Sequence, residues 1–129
     1  TGGQAQFLER PVTRREGTTI SPVLDRMRAD LAAEWTIERM AAACRMSPRT
    51  FLRRFTEATG ATPGDWLTME RIAAARELLS QGQASIDDVA ASVGFGSAHT
   101  LRHHFRQKIG ISPAEYRRRF LTETVIQAI

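Results

Sequence analysis

The sequence of 129 residues predicts an all-α fold of about seven helices, arranged as two similar lobes that are joined by a long central helix. Three observations lead to this prediction. No segment alternates apolar and polar residues strongly enough to indicate a strand. Hydroxyl residues and prolines stand where helices should begin, and glycines stand where they should end. One pattern of residues also occurs twice along the chain, which indicates an internal repeat.

The repeat covers Thr36–Trp66 and again Ser85–Tyr116. Each copy has a hydroxyl cap, a short alanine-containing helix, a tight turn, a second cap and a longer helix. The second copy has one additional residue in its turn, which reads Val93-Gly94-Phe95-Gly96. A short helix, a turn and a second helix form the helix-turn-helix arrangement, so the sequence predicts two helix-turn-helix lobes.

The first lobe is predicted to begin with a helix that starts at Ser21-Pro22 and extends to about Glu34. A short helix is predicted over Ile37–Ala43, and a longer one over about 48–59. The central helix, Pro63–Ser80, has two apolar stripes, which suit a helix packed against both lobes.

The second lobe repeats the pattern, with helices predicted over Ile86–Ser92 and about 98–109. The last helix is predicted to begin at Ser112-Pro113. The predicted divisions of the chain are 1–20 as a linker from an N-terminal domain, 21–62 as the first lobe, 63–80 as the connecting helix, 81–120 as the second lobe and 121–129 as a C-terminal tail.

Charge and composition favour an anionic partner. The formal net charge is +4, and Lys108 is the only lysine among 18 basic residues, so 17 are arginines. Arginine makes bidentate contacts to phosphate and guanine, although a general codon preference explains its abundance equally well. No apolar run approaches the roughly 20 residues that span a bilayer, so no membrane partner is expected. The single cysteine, Cys44, predicts a small core residue and a reducing compartment.

The longer helix of each copy is predicted to place a basic face opposite its buried aromatic or aliphatic residues. Phe51 and Phe55 should face inward, as should Leu101 and Phe105. The outer face then combines fork-shaped donors with small polar and apolar groups, which suits the base edges of a DNA major groove. The candidates for reading bases are Arg49, Leu52, Arg53, His99, Arg102 and His103. The candidates for positioning phosphates are Ser47, Thr50, Arg54, Ser97, Arg106, Ser112 and Arg117.

The stretch AASVGFGSAHTLRHHFRQKIGISPAEYRRR resembles the signature of the AraC/XylS family of bacterial transcription regulators. The matching residues are Val93-Gly94-Phe95, Ser97, Leu101, Phe105, Arg106, Gly110, Ser112-Pro113 and Tyr116-Arg117. The resemblance covers about Pro22 to Phe120. It implies that two recognition helices enter successive major-groove segments of double-stranded DNA, and that the same six candidates read bases. The family often has arginine where this sequence has His103.

The stretch GGQAQFLERPV resembles the connector of a subgroup whose regulators carry a DJ-1/PfpI-like domain ahead of this one. The resemblance to the family implies a location in the bacterial cytoplasm, on the nucleoid. It also gives two further expectations about partners. RNA polymerase is a candidate partner, and the parent protein is a candidate to dimerise through the N-terminal domain.

Other kinds of function are weaker interpretations. His99 and His103, one helical turn apart, are a possible metal pair, but no third ligand is placed by sequence, so no metal is predicted. No catalytic motif occurs, so neither an enzyme activity nor a cofactor is expected. Two other binding functions remain open. One is a basic module that binds an acidic protein partner, and the other is RNA binding, for which exposed aromatic stacking platforms are lacking.

Overall fold

The computed structural model describes residues 19–128, and the side chains of residues 19–123. This part of the chain contains seven α-helices and no strand, so the all-α prediction is confirmed. The helices are α1 (Ser21–Ala29), α2 (Ile37–Ala43), α3 (Pro48–Thr59), α4 (Pro63–Gln81), α5 (Ile86–Val93), α6 (Ala98–Ile109) and α7 (Pro113–Ala128). The proposed connector GGQAQFLERPV lies outside the described residues.

The chain divides into two compact units between Leu67 and Thr68, a boundary that falls within α4. In the first unit, α1, α2 and α3 enclose a core with Val23, Phe51 and Phe55 at 0 % exposure. The Phe51 and Phe55 rings lie 5.5 Å apart, and the edge of Trp66, from the first turns of α4, meets Phe55 at 5.9 Å. Aromatic packing of this kind makes α3 the central element of the first core.

The second unit has a core of the same design. Leu101 and Phe105 of α6 are fully buried, together with residues of α4 and α5. Phe105 meets the ring of Tyr116 edge-on at 5.5 Å, which packs α7 against α6. The helix α4 contributes Leu67 to the first core and Leu79 to the second.

Local signals define the ends of the two longer helices as the sequence predicted. Ser47 and Ser97 each accept a hydrogen bond from the backbone N–H three residues later, at 3.2 Å. Gly60 and Gly110 end α3 and α6 in the left-handed conformation, with φ of 78° and 95°. The predicted inward positions of the aromatic and leucine side chains in α3 and α6 are also confirmed.

Two segments differ from the prediction. The helix α1 ends at Ala29 rather than near Glu34, and the chain turns at Asp30, whose carbonyl accepts a 2.9 Å hydrogen bond from Trp35 Nε1. Leu31 lies in this turn and still packs on the first core. Because it keeps the spacing of a buried helical residue, the sequence did not indicate that the helix ends before it. At the other end, α7 continues through Ala128, so most of the segment 121–129 that was assigned to a tail is helical.

Candidate nucleic-acid interface

The helix α3 places three of the predicted base-reading residues on its solvent side. Arg49, Leu52 and Arg53 are all exposed, whereas Phe51 and Phe55 on the other side are buried. Spacings of three and four residues bring the three exposed side chains onto one helical face. Leu52 is 40 % exposed, so this face presents an apolar group between two guanidinium groups.

Arg53 has one ionic neighbour in the described part of the chain, Glu57, one turn further along α3. The Nη1 of Arg53 lies 4.0 Å from a carboxylate oxygen of Glu57, and both side chains are about 60 % exposed, at 59 % and 62 %. A long, exposed ion pair of this kind is weak and exchanges readily with water. The guanidinium of Arg53 is therefore accessible to an external acceptor.

The helix α6 presents the matching face of the second unit. His99, Arg102 and His103 are exposed, and Leu101 and Phe105 face the core. The sequence of α6, AHTLRHHFRQKI, contains no acidic residue. Unlike the face of α3, this face therefore combines one arginine with two imidazoles that can each donate or accept a hydrogen bond.

His104 lies off this face and packs inward. It is half-buried, and its ring stacks on Phe95 with the centroids 5.3 Å apart and the planes 19° apart. Burial lowers the pKa of His104 below its ordinary value, and the positive groups of His103, Lys108 and Arg71 lower it further. The His104 imidazole is therefore a neutral packing group rather than a binding group.

The three serine candidates for phosphate positioning stand at helix N-termini. Ser47, Ser97 and Ser112 accept backbone N–H groups at 3.2, 3.2 and 3.1 Å, so their oxygens complete the first turns of α3, α6 and α7. The Ser97 hydroxyl also donates to Thr100 Oγ1 at 3.1 Å. The positive end of each helix dipole lies close to these hydroxyls, which favours an anion there.

The other candidates for phosphate positioning differ in accessibility. Arg106 is exposed, whereas Thr50 and Arg54 are half-buried. The Nε of Arg54 is buried and has no hydrogen-bond partner within residues 19–123. Only the outer nitrogens of the Arg54 guanidinium are thus left to bind an external group.

Arg117 is engaged within the second unit. Its Nη2 donates to the Ala84 carbonyl at 2.6 Å, and its Nε donates to the Leu79 carbonyl at 3.3 Å. These bonds tie α7 to the end of α4 and to the segment that leads into α5. Arg117 was expected to position phosphates, but the structure gives its guanidinium a structural role. The available signal was its spacing four residues after the buried Pro113, which places Arg117 towards the inner side of α7.

The two arginines that follow Arg117 both pair with Glu115. Arg118 Nη2 and Arg119 Nε lie 2.7 and 2.9 Å from its carboxylate oxygens. The hydrogen bond from Arg119 is the main cause of a pKa below the ordinary value for Glu115. The arginine run of α7 is therefore largely satisfied by contacts within the chain.

Three further findings concern other kinds of site. Across the described residues, no group of three or more His, Cys, Asp or Glu side chains is placed to hold a metal ion. None of the described helices is both long and apolar enough to cross a membrane. Cys44 is buried at 4 % exposure, and burial raises the pKa of its thiol, so it behaves as the core residue that was predicted.

Comparison with known proteins identifies the family. A family model described as a helix-turn-helix domain matches residues 40–119. An HTH-type transcriptional regulator of Mycobacterium tuberculosis is 39% identical over 84 residues, which cover 65% of this chain and 32% of the relative. A putative AraC-like transcription regulator of Streptomyces antibioticus is 32% identical over 99 residues, which cover 77% of this chain and 33% of the relative. The chain spans about one third of the length of the curated relatives it matches.

Solved structures give the same result. The DNA-binding domain of AdpA, a global transcriptional factor solved in complex with a target DNA, aligns with a TM-score of 0.78 and 38% identity, covering 81% of this chain and 94% of that one. A DNA-binding transcriptional dual regulator from Escherichia coli aligns with a TM-score of 0.73 and 27% identity, covering 88% and 99%. The chain therefore belongs to the AraC-type family of helix-turn-helix transcription regulators, and its described residues form a helix-turn-helix DNA-binding domain.

Proposed function

We propose that α3 and α6 are the two recognition helices of this domain, and that they read successive major-groove segments of one double-stranded DNA site. The observation that carries this proposal is the repeated helical face. Both helices bury an apolar pair, Phe51 and Phe55 or Leu101 and Phe105, and both expose basic side chains on the opposite side. A major groove is wide enough to admit one such helix.

The residues of α3 fit direct readout of bases. The guanidinium groups of Arg49 and Arg53 each present two parallel donors, which match the O6 and N7 acceptors of guanine. Leu52, exposed between them, suits contact with a thymine methyl group. We therefore expect α3 to prefer guanine and thymine in the segment of the major groove that it enters.

The residues of α6 are assigned the second part of the site. Arg102 is the guanine reader of this helix, and His99 and His103 either donate to or accept from base edges. Because an imidazole reaches less far than a guanidinium, readout at His103 should be weaker than at Arg53, its counterpart in the first copy. We therefore expect stronger base preference in the half of the site that α3 reads.

Contacts to the DNA backbone hold the two helices in register. Arg106 and the outer nitrogens of Arg54 supply the charge, and Thr50 supplies a hydroxyl. First-turn amides of the helices that Ser47, Ser97 and Ser112 cap are the neutral donors. The phosphate contact that the sequence suggested for Arg117 is left out, because its Nε and Nη2 already donate to carbonyl groups of the chain itself.

The wider setting follows from this activity. The domain is proposed to act in the bacterial cytoplasm on the nucleoid, as part of a longer regulator whose other segments supply the sensed signal, dimerisation and any contact with RNA polymerase. No enzyme activity is proposed, because the relatives are named as transcription regulators. The predicted division into lobes 21–62 and 81–120 joined by 63–80 is kept as the organisation of the binding domain.

The proposal is tested by replacing Arg53 with alanine and measuring the affinity for a preferred and a scrambled duplex. The variant should lose about 1–3 kcal/mol on the preferred duplex, with much less change on the scrambled one, because a base contact carries sequence information. Arg26→Ala is the matched control, since Arg26 is an exposed arginine on α1 with the same charge. It should bind both duplexes nearly as the parent does.

The salt dependence of the parent affinity is the second measurement. Several arginine–phosphate contacts release counterions, so the logarithm of the affinity should fall steeply with the logarithm of the salt concentration.

If Arg53→Ala loses the same affinity for the preferred and the scrambled duplex, Arg53 is a phosphate contact and its assignment as a base reader is contradicted. Binding to any polyanion with no preferred duplex would instead favour the interpretation as a basic module for an acidic protein.

A further inference from the structure

The turn between α2 and α3 contains a strained residue, Arg45. It has φ of 57°, and within the described residues no other non-glycine residue has positive φ. A side chain with a Cβ is disfavoured in this left-handed region, which glycine adopts freely. The corresponding residue of the second copy is Gly94, with φ of 99°. The second copy thus uses the residue that suits the position, and the first copy does not.

The two turns differ by one residue in length but share the hydrogen bond that follows the positive-φ residue. In the first, Met46 N–H donates to the Ala41 carbonyl at 3.0 Å, and in the second, Phe95 N–H donates to the Ala90 carbonyl at 2.9 Å. These are equivalent bonds that close the end of the preceding short helix. Glycine would therefore fit at position 45 without any change in the turn, and the arginine is not required by the local fold.

The side chain of Arg45 is not held by the rest of its unit. It is exposed, and it makes no hydrogen bond or ion pair within the described part of the chain. Other arginines of that unit are packed on aromatic rings, such as Arg39, whose guanidinium carbon lies 4.3 Å from the centroid of Trp35. No hydrogen bond or ion pair of the Arg45 side chain within residues 19–123 compensates for the strain, so its guanidinium is accessible to a group outside this part of the protein.

The position of Arg45 indicates what that contact is. It lies two residues before Ser47, the cap of α3, and four before Arg49, the first candidate base reader. A recognition helix enters the groove by its N-terminal part, so the turn before it lies beside the sugar-phosphate backbone. We propose that Arg45 binds a backbone phosphate of DNA, and that the second copy has no equivalent contact because it has Gly94. This inference rests on the proposed function, DNA binding through α3.

The contact would make the two lobes unequal in their hold on DNA. The first lobe would gain one charged phosphate contact from its turn, whereas the turn of the second lobe offers only backbone groups. A phosphate contact carries no base identity, so its loss should weaken binding to all sequences alike. Backbone strain is found at functional sites, where it lowers stability but allows a contact with a ligand.

The test compares Arg45→Gly, Arg45→Asn and Arg45→Lys in the full chain. Arg45→Gly should raise the thermal unfolding midpoint by about 2–6 °C, since it removes the strain. It should also weaken binding to preferred and scrambled duplexes alike, by about tenfold for one charge-assisted hydrogen bond. The slope of log affinity against log salt should become shallower by about one. Stability and DNA affinity would thus change in opposite directions.

The other two variants separate charge from strain. Asparagine tolerates the left-handed conformation but has no charge, so Arg45→Asn should weaken DNA binding as Arg45→Gly does. Lysine keeps both the charge and the strain, so Arg45→Lys should keep the salt slope and the unfolding midpoint of the parent. Arg26→Ala again controls for the loss of one positive charge from the first unit.

Several results would overturn the proposal. If Arg45→Gly is stabilised but binds DNA with the parent's affinity and salt slope, Arg45 makes no phosphate contact. A loss of affinity for the preferred duplex alone would make Arg45 a base reader, and a lowered unfolding midpoint of Arg45→Gly would show that Arg45 is not strained. If the parent chain itself prefers no duplex, the proposed function fails instead, so the two failures are distinguishable.

Discussion

Replacing Arg117 with methionine tests the contact that ties α7 to the end of α4. Methionine keeps an unbranched, flexible side chain but removes the guanidinium that donates to the carbonyls of Ala84 and Leu79. The carbonyl of Leu79 belongs to the last turns of α4, where carbonyl groups lack partners within the helix. The substitution therefore removes the donor of the Ala84 carbonyl, whereas the Leu79 carbonyl keeps a 3.1 Å hydrogen bond from the Gly82 N–H.

The size of the effect follows from the two hydrogen bonds. The 2.6 Å bond to Ala84 is short and charge-assisted, so its loss should cost about 1.5–3 kcal/mol. The bond to Leu79 is longer, at 3.3 Å, and should add less than about 1 kcal/mol. We expect a total decrease of about 2–3 kcal/mol in the free energy of unfolding, which lowers the unfolding midpoint by about 10–20 °C for a unit of this size.

The assay is thermal and urea unfolding of the full chain, followed by far-ultraviolet circular dichroism. Arg118→Met and Arg119→Met are the matched controls, because these arginines pair with Glu115 while their side chains are 69 % and 62 % exposed. Each control should change stability by less than about 1 kcal/mol. If all three variants behave alike, or if Arg117→Met affects only the salt dependence of DNA binding, the structural role of Arg117 is refuted.

Two further predictions concern titratable groups. Because the folded chain holds the pKa of His104 below its usual 6.5, the unfolded state takes up a proton first as the pH falls. The contribution of neutral His104 to the free energy of unfolding should therefore be fully present above about pH 6.5 and decrease below it. Denaturation at a series of pH values should show this decrease, and its persistence in His104→Phe would exclude His104 as the source. The buried thiol of Cys44, with its raised pKa, should react with a thiol reagent only when the first unit opens, and rapid reaction in the native chain would contradict its burial.

Helix starts and ends could be predicted wherever the signal acts within a few residues. The serine caps Ser47 and Ser97 bond to backbone three residues away, and Gly60 and Gly110 allow a left-handed residue at the helix end. The end of α1 could not be predicted in this way. Leu31 keeps the apolar spacing of a helix although it packs from a turn.

The candidate site was predictable in so far as it follows from helical periodicity. Buried Phe51 and Leu101 determine which side chains of α3 and α6 are exposed, so the base-reading candidates are found on the expected faces. The role of Arg117 was not predictable from charge, because its acceptors lie 33 and 38 residues away in the chain. The strain at Arg45 had a visible signal, its alignment with Gly94 in the second copy.

If both recognition helices bind one DNA site, that site has two parts. Selecting bound duplexes from a random library with the full chain, and sequencing them, measures this. We expect an enriched motif with two parts about one helical turn apart, the stronger of which Arg53→Ala weakens. Enrichment of a single short motif, or of no motif at all, would contradict it.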